Sequence, residues 1–204
     1  SEQKSQAESR VQEIAAAKQA KIEKAIATDQ SVKNDVPLDF SSFIAELAAR
    51  LPEDAIIFDE ALTGSPAVAR YFPPTKTGQY FLTRGGSLGV GIPGAIGAKL
   101  AHPDKVVIGL TGDGGSLYTI QALWTAARHN VDAKFIICNN RSYKLLQLNI
   151  QAYWQEQQIE PHDFPLSFDL SKPAIRFDEI ARSLGVEAER IETPEQIIPA
   201  IERA

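Results

Sequence analysis

Residues 106–110 form a run without any polar residue, and this run leads directly into the glycine-rich segment at residues 112–115. A strand without polar alternation is typical of a sheet that is covered on both faces, as in parallel α/β proteins. A second apolar run, residues 134–138, follows after a helical pattern at residues 117–128. We therefore predict an α/β fold, with an open parallel sheet and helices on both of its faces.

Capping residues and apolar spacing mark the other elements of this fold. Asp39 stands directly before an apolar periodic segment, at a position typical of a helix N-cap. Pro93 stands in the first turn of another predicted helix, where a missing N–H costs nothing. Helices are predicted near residues 40–51, 64–66, 92–100, 177–184 and 194–203, and further strands at residues 55–58, 80–82 and 186–191.

Residues 1–36 differ in composition from the rest of the chain. They are rich in Ala, Gln, Glu and Lys, contain no Gly or Pro, and carry only a thin apolar stripe at helical spacing. We predict one long, exposed helix that ends between Thr28 and Asn34. We interpret residues 1–36 as a helical linker from an upstream domain and residues 37–204 as a separate domain. A coiled-coil helix is the alternative, but the heptads are short and irregular.

Composition excludes several function classes. The net charge of −5 argues against a nucleic-acid partner, which would favour a basic excess. The chain contains no apolar run of about 18 residues, so we predict no membrane span, and its polar start does not resemble a secretory signal. The only cysteine, Cys138, lies in an apolar run and is interpreted as a core thiol. We expect a cytoplasmic protein.

Asp113 lies in the turn where an anion would otherwise bind. In an open α/β sheet, ligands bind at the carboxyl ends of the strands. Glycines let the backbone approach a ligand, and the following helix start offers free N–H groups to an anion. A carboxylate at this place would repel a phosphate unless a cation lay between them. Asp113 therefore predicts a hard divalent cation such as Mg²⁺, which bridges carboxylate and phosphate oxygens.

The pair Asn139-Asn140 follows the next apolar strand, and Asn140 lies 27 residues after Asp113 (140 − 113). A strand–helix–strand unit of that length is ordinary, and it brings the carboxyl ends of neighbouring parallel strands together. We therefore expect Asp113 and Asn140 to bind one ion. The backbone carbonyl of Ser142 is the candidate for a third protein ligand.

Gly112-Asp113-Gly114 followed by Asn139-Asn140 resembles the signature of thiamine-diphosphate-dependent enzymes. The resemblance extends over about residues 38–204. Residues 118–127 and residues 85–97 are similar to benzoylformate decarboxylase, and acetolactate synthases share much of the same pattern. The chain thus resembles the C-terminal thiamine-diphosphate-binding (PP) domain of that superfamily.

The resemblance implies roles for the matching positions. It implies side-chain metal ligands at Asp113 and Asn140 and a carbonyl ligand at Ser142. Leu88 matches the bulky apolar residue that wedges under the cofactor and forces it into a V shape, and Gly86 would offer its carbonyl to the aminopyrimidine. The other implied cofactor contacts are Gly112, Gly114, Gly115, Ser116, Tyr143 and, at the end of the first strand, Glu60 and Thr63.

The same resemblance implies that essential parts lie outside this chain. In the family, a pyrimidine-binding domain, from the same full-length chain or a second subunit, brings the glutamate that activates the cofactor. We therefore expect thiamine diphosphate and Mg²⁺ as cofactors, a small 2-oxo acid as substrate and a homo-oligomer, with no catalytic residue in these 204 residues and no turnover by them alone. The alternatives are a small subunit of a split decarboxylase, an acetolactate synthase-type carboligase fragment and a non-catalytic binding module.

Some positions depart from the pattern or imitate another one. Asn149 replaces an aromatic pocket residue of the decarboxylase, which argues against an aryl substrate, and Arg141 replaces a small residue. Tyr143 and Leu146 are candidate pocket contacts. Residues 89–94 match a dinucleotide fingerprint by letter but follow a loop rather than a strand, so we predict no nicotinamide or flavin site. The three histidines, expected at the surface or at helix ends, lack metal-ligand spacing.

Overall fold

The computed structural model describes residues 2–204 of the chain. Four strands form one sheet, β1 (Ile56–Glu60), β2 (Tyr80–Leu82), β3 (Val107–Gly112) and β4 (Lys134–Cys138). Their spatial order is β2-β1-β3-β4, and each neighbouring pair is parallel. The predicted α/β fold with an open parallel sheet is confirmed.

Nine α-helices are described in residues 2–204. They are α1 (Glu2–Ser31), α2 (Phe40–Ala48), α3 (Ser65–Tyr71), α4 (Gly91–Ala101), α5 (Asp113–Ser116), α6 (Ala122–Arg128), α7 (Lys144–Glu156), α8 (Phe177–Ser183) and α9 (Pro194–Arg203). Short 3₁₀ turns cover Leu62–Gly64 and Leu166–Phe168. Within this described range, each helix is too short or too polar to cross a membrane.

Helices cover both faces of the sheet because its strands are apolar on both sides. On one face, Ile57, Ile108 and Leu110 pack with residues of α2, α3 and α9. On the other face, Ile56 and Val107 pack against α4, and α4 in turn packs against α6 and α8. Helix α4 lies so close to β3 that a Cβ at Gly109 would be 2.7 Å from the Ala95 Cβ. Glycine at position 109 therefore permits this close packing.

Two predictions about element boundaries need correction. Residues 186–191 are not a strand, because they form no ladder hydrogen bonds with the sheet. Val186 packs on the α4 face and Ile191 on the α2 face, so the segment is held by side chains rather than by pairing. The predicted helix at residues 117–128 is shorter, since residues 117–121 form turns and α6 begins at Ala122.

The capping and core predictions are confirmed at several positions. Asp39 caps α2 by accepting the Ser41 N–H at 2.8 Å. His102 and His129 are the C-cap residues of α4 and α6, so both lie at helix ends as the sequence analysis expects. Cys138 is partly buried and packs against the core on the α2 face, and burial raises the pKa of its thiol far above its usual range.

Helix α1 is exposed along most of its length and contacts the domain near its C-terminal end. Asp29 and Arg70 form a two-pronged ion pair there, with N–O distances of 2.8 and 2.9 Å for the two hydrogen bonds. Both side chains are mostly buried, at 12% and 15% exposure. The predicted long helix over residues 1–36 is therefore present from residue 2 to Ser31, while residue 1 lies outside the described part.

We predict that Arg70→Leu will release the end of α1 while the sheet stays folded. Charged hydrogen bonds of this type contribute about 2 kcal/mol to folding free energy. Hydrogen exchange of residues 22–31 should speed up, with little change in β1 and β3. Arg50→Leu is the matched control, because Arg50 forms an exposed pair with Glu46 of its own helix segment. Equal exchange in both variants would contradict the anchoring role of Arg70.

Candidate functional site

The strand order changes direction between β1 and β3. The chain leaves β1 toward β2 on one side, and then returns past β1 to form β3, from which it continues to β4 on the other side. Such a reversal of direction opens a crevice between the loops, where open α/β sheets bind their ligands. The site residues predicted from the sequence lie at the carboxyl ends of β1 and β3 and in the segments that follow the four strands.

Asp113 begins helix α5 at the end of β3 and is only 3% exposed. Its Oδ1 accepts the Gly114 N–H at 2.8 Å and its Oδ2 accepts the Ser142 N–H at 3.2 Å. Burial raises the pKa of Asp113, and these N–H donors offset part of that rise. Among the described residues, no Lys or Arg forms an ion pair with it. A divalent cation would supply the missing positive charge.

Asn140 lies in the loop after β4, and its Oδ1 accepts the Ser142 N–H at 2.9 Å. Asp113 Oδ2 shares that same donor. The two oxygens can therefore be no farther apart than the sum of these two hydrogen-bond lengths. The structure brings Asp113 and Asn140 together, as the sequence analysis expects.

The oxygen atoms near the Ser142 N–H are suited to bind a hard cation. They comprise a carboxylate, an amide oxygen and the nearby Ser142 carbonyl, and Mg²⁺ prefers oxygen ligands of these kinds. The Ser142 carbonyl accepts the Lys144 N–H at 2.8 Å, and its second lone pair is free by valence. Residues 2–204 contain no cluster of three or more His, Cys, Asp or Glu side chains that could hold a metal. The oxygens of Asp113, Asn140 and Ser142 are a different kind of set, with one carboxylate and two neutral carbonyl oxygens.

The turn at residues 112–116, here called the Gly-Asp-Gly turn, is compact and largely buried. Gly114, Gly115 and Ser116 are buried, and the Ser116 hydroxyl donates to the Asp113 carbonyl at 2.8 Å. The Tyr143 ring lies over Gly114, so that a Cβ at that glycine would overlap the ring. The structure thus places Tyr143 at this turn, whereas Leu146 on α7 is 44% exposed.

The loop at residues 85–90, here called the wedge loop, connects β2 to α4. Gly85 and Gly86 have positive φ angles of 63° and 69°, which favour glycine. A Cβ at Gly86 would meet nothing within 4 Å, so its backbone faces open space. Leu88 is half-buried at the base of this loop. The Thr119 hydroxyl donates to the Gly89 carbonyl at 2.7 Å, which ties the loop to the segment after α5.

Glu60 and Thr63, both named as cofactor contacts, lie in different surroundings. Glu60 has no exposed surface, and its two carboxylate oxygens accept the N–H groups of Gly89 and Gly91. The side chain of Glu60 therefore contacts the protein's own loop, which does not support direct contact with a diphosphate. Thr63 is exposed in the 3₁₀ turn after β1, where a ligand could reach it.

Asp59, next to Glu60, is a buried carboxylate that the sequence analysis does not single out. It is fully buried and accepts hydrogen bonds from the Ala61 N–H at 2.7 Å, the Ser65 hydroxyl at 3.0 Å and the Tyr80 hydroxyl at 2.5 Å. Burial and the Asp59 carboxylate raise the pKa of Tyr80 well above its usual range. The signal was an acidic pair, Asp59-Glu60, directly after an apolar strand.

Comparison with known proteins identifies the family of this chain. Residues 63–204 match the family described as thiamine pyrophosphate enzyme, C-terminal TPP binding domain. The chain belongs to this family. Its fold and cofactor are accordingly those of thiamine pyrophosphate (thiamine diphosphate) enzymes.

Several relatives of this thiamine pyrophosphate enzyme domain are much longer proteins. The chain is 37% identical to benzoylformate decarboxylase of Pseudomonas aeruginosa over 168 residues, 82% of this chain and 30% of the relative. It is 32% identical to acetolactate synthase isozyme 1 large subunit of Escherichia coli over 152 residues, 74% of this chain and 26% of the relative. The chain thus spans less than a third of each of these relatives.

A solved structure gives the same family assignment. The thiamine diphosphate-dependent 4-hydroxybenzoylformate decarboxylase of Rhodococcus jostii RHA1 superposes with a TM-score of 0.72 and 32% identity. The match covers 83% of this chain and 30% of that one. The resemblance to a C-terminal thiamine-diphosphate-binding domain is confirmed.

We predict that Tyr80→Phe will destabilise the domain by about 1.5–3 kcal/mol, because it removes a hydrogen bond to the buried Asp59 carboxylate. Chemical denaturation of the two proteins measures this difference in the free energy of unfolding. Tyr153→Phe is the matched control, since Tyr153 lies 54% exposed on α7. A loss below about 0.5 kcal/mol for Tyr80→Phe would show that the bond contributes little.

Proposed function

We propose that this domain binds the diphosphate of thiamine diphosphate through Mg²⁺, with Asp113, Asn140 and the Ser142 carbonyl as the protein ligands. The observation that carries the proposal is the convergence of the Asp113 and Asn140 oxygens on the Ser142 N–H. Two strand ends 27 residues apart meet there (140 − 113), and the buried Asp113 carboxylate lacks a Lys or Arg partner among the described residues. A divalent cation provides that partner.

The loops on both sides of the metal ligands complete the proposed cofactor site. Gly112, Gly114, Gly115 and Ser116 bring main-chain N–H groups close to the diphosphate position, and Tyr143 closes one side of that turn. On the wedge loop, Leu88 supports the cofactor, and Gly86 offers its carbonyl to the aminopyrimidine. When bound, thiamine diphosphate supplies a nucleophilic carbon and an electron sink for 2-oxo acid decarboxylation. The protein groups bind and orient.

The proposed enzyme needs a pyrimidine-binding domain, from the rest of a longer chain or from a second subunit, and we propose a homo-oligomer. We propose the same domain division as from the sequence, with a helical linker at residues 1–36 and the binding domain at residues 37–204. Exposed aromatic side chains after the Gly-Asp-Gly turn support a surface that a partner domain covers. Tyr118 follows the turn and is 61% exposed, and Trp124 on α6 is 55% exposed. Burying such side chains on a partner is favourable.

A small 2-oxo acid is the proposed substrate, and carboligation of the acetolactate synthase type is the second candidate. Asn149 favours the second candidate over an aryl-specific decarboxylase, because it places an exposed polar side chain on α7 where the decarboxylase has an aromatic residue. A split-enzyme subunit would use the same ligands. Intact Asp113, Asn140 and Leu88 argue against a non-catalytic module.

Calorimetric titration of the chain with thiamine diphosphate and Mg²⁺ tests the proposed site. Asp113→Ala and Asn140→Ala should each weaken Mg²⁺-dependent binding by more than about tenfold, since even loss of residues behind the ligands has effects of that size. Asp163→Ala and Asn149→Ala are matched controls, because both side chains are exposed and lie outside the proposed ligand set. Unchanged binding by the two ligand variants, or equal losses in the controls, would refute the proposed metal site.

We also predict that the 204 residues alone decarboxylate neither pyruvate nor benzoylformate, because they lack the domain with the activating glutamate. The measurement is carbon dioxide release in the presence of thiamine diphosphate and Mg²⁺, with a full-length relative as the positive control. A rate above the protein-free background would contradict this prediction and place a complete active site within the chain.

A further inference from the structure

The carboxylate of Glu60 connects three separate parts of the site. Its Oε1 accepts the Gly89 N–H at 2.6 Å, and its Oε2 accepts the Gly91 N–H. The same Oε1 lies against the Gly-Asp-Gly turn, because a Cβ at Gly115 would be only 2.7 Å from it. Glu60 itself ends β1. One side chain thus contacts the end of β1, the wedge loop and the turn after β3.

This carboxylate is fully buried, and among the residues described it forms no ion pair with a Lys or Arg. Removing a carboxylate from water costs several kcal/mol unless hydrogen bonds replace its hydration. The N–H groups of Gly89 on the wedge loop and of Gly91 at the start of α4 provide that replacement. The hydrogen bond from the Gly89 N–H in turn fixes the backbone of the wedge loop directly beside Leu88.

We propose that Glu60 is a positioning residue that fixes the distance between the wedge loop and the Gly-Asp-Gly turn. The inference rests on the proposed function, in which Leu88 supports the thiamine part and the turn at residues 112–116 binds the diphosphate. A ligand that spans both loops depends on their spacing, whereas a ligand that occupies the turn alone does not. Glu60 therefore affects the additional affinity that the thiamine part gives to thiamine diphosphate over pyrophosphate.

Glu60→Gln is the variant that tests this role. Glutamine keeps the shape of the side chain but has one acceptor oxygen, and its NH₂ group would face one of the two N–H donors. Two ligands are compared by calorimetry in excess Mg²⁺: thiamine diphosphate, which spans both loops, and inorganic pyrophosphate, which does not. We expect Glu60→Gln to weaken thiamine diphosphate binding by about tenfold and to leave pyrophosphate binding unchanged.

Three further variants make the comparison specific. Glu53→Gln is the matched control, since Glu53 is exposed before β1, and it should bind both ligands like the wild type. Asp113→Ala should weaken both ligands together. Thr119→Val removes the hydroxyl that holds the Gly89 carbonyl from the other side. It should produce the same ligand-selective loss on a smaller scale, and it tests the proposal if Glu60→Gln does not fold.

Each outcome separates this inference from the proposed function. A loss confined to thiamine diphosphate in Glu60→Gln supports the positioning role. Equal losses for both ligands, no loss for either, or a wild type that binds thiamine diphosphate no more tightly than pyrophosphate would overturn it. A wild type that binds neither ligand in Mg²⁺ would refute the proposed function itself.

Discussion

Buried carboxylates at the carboxyl ends of β1 and β3 organise the loops of this domain. Asp59, Glu60 and Asp113 are each at most 3% exposed, and none forms an ion pair with a described Lys or Arg. Since a buried charge is tolerated only where donors replace its hydration, each carboxylate fixes the position of the groups that donate to it. Asp59 fixes the turn after β1 and the Tyr80 hydroxyl of β2. Glu60 fixes the start of α4, and Asp113 fixes the Ser142 backbone of the loop after β4.

This arrangement explains how a small sheet can present an ordered site on loops. The apolar strands and the helices on both faces set the positions of the strand ends, while the carboxylates set the loops relative to those ends. Burial of the Asp113 carboxylate costs free energy, because only N–H donors surround it. Burial accordingly raises the pKa of Asp113. A bound divalent cation reverses that penalty. Binding of Mg²⁺ would therefore increase the stability of the folded domain in addition to holding the diphosphate.

Local sequence patterns predict a strand or helix well where apolar spacing and capping residues, rather than contacts with distant parts of the chain, determine the element. The strand Lys134–Cys138 and the helix Pro194–Arg203 were predicted with their observed bounds. The strand at residues 186–191 was wrong, because its apolar residues contact two different faces of the sheet instead of pairing with β4. The convergence of Asp113 and Asn140 followed from the parallel arrangement of β3 and β4. The contact of Glu60 with Gly89 could not be predicted, since the two residues are 29 positions apart and meet only once α4 has packed on β3.

The two glycines after Asp113 are part of a motif that the sequence reveals, but the sequence does not reveal every reason why glycine is needed there. From the sequence, both were assigned to close approach of a diphosphate. In the structure, the Tyr143 ring occupies the space where a Cβ of Gly114 would lie, and Glu60 Oε1 lies 2.7 Å from the Cβ position of Gly115. Each glycine is therefore also required by a different side chain that crosses the turn, one from the loop after β4 and one from β1. Because both side chains pack directly against the turn, they restrict its backbone, and its N–H groups have a fixed direction before any ligand binds.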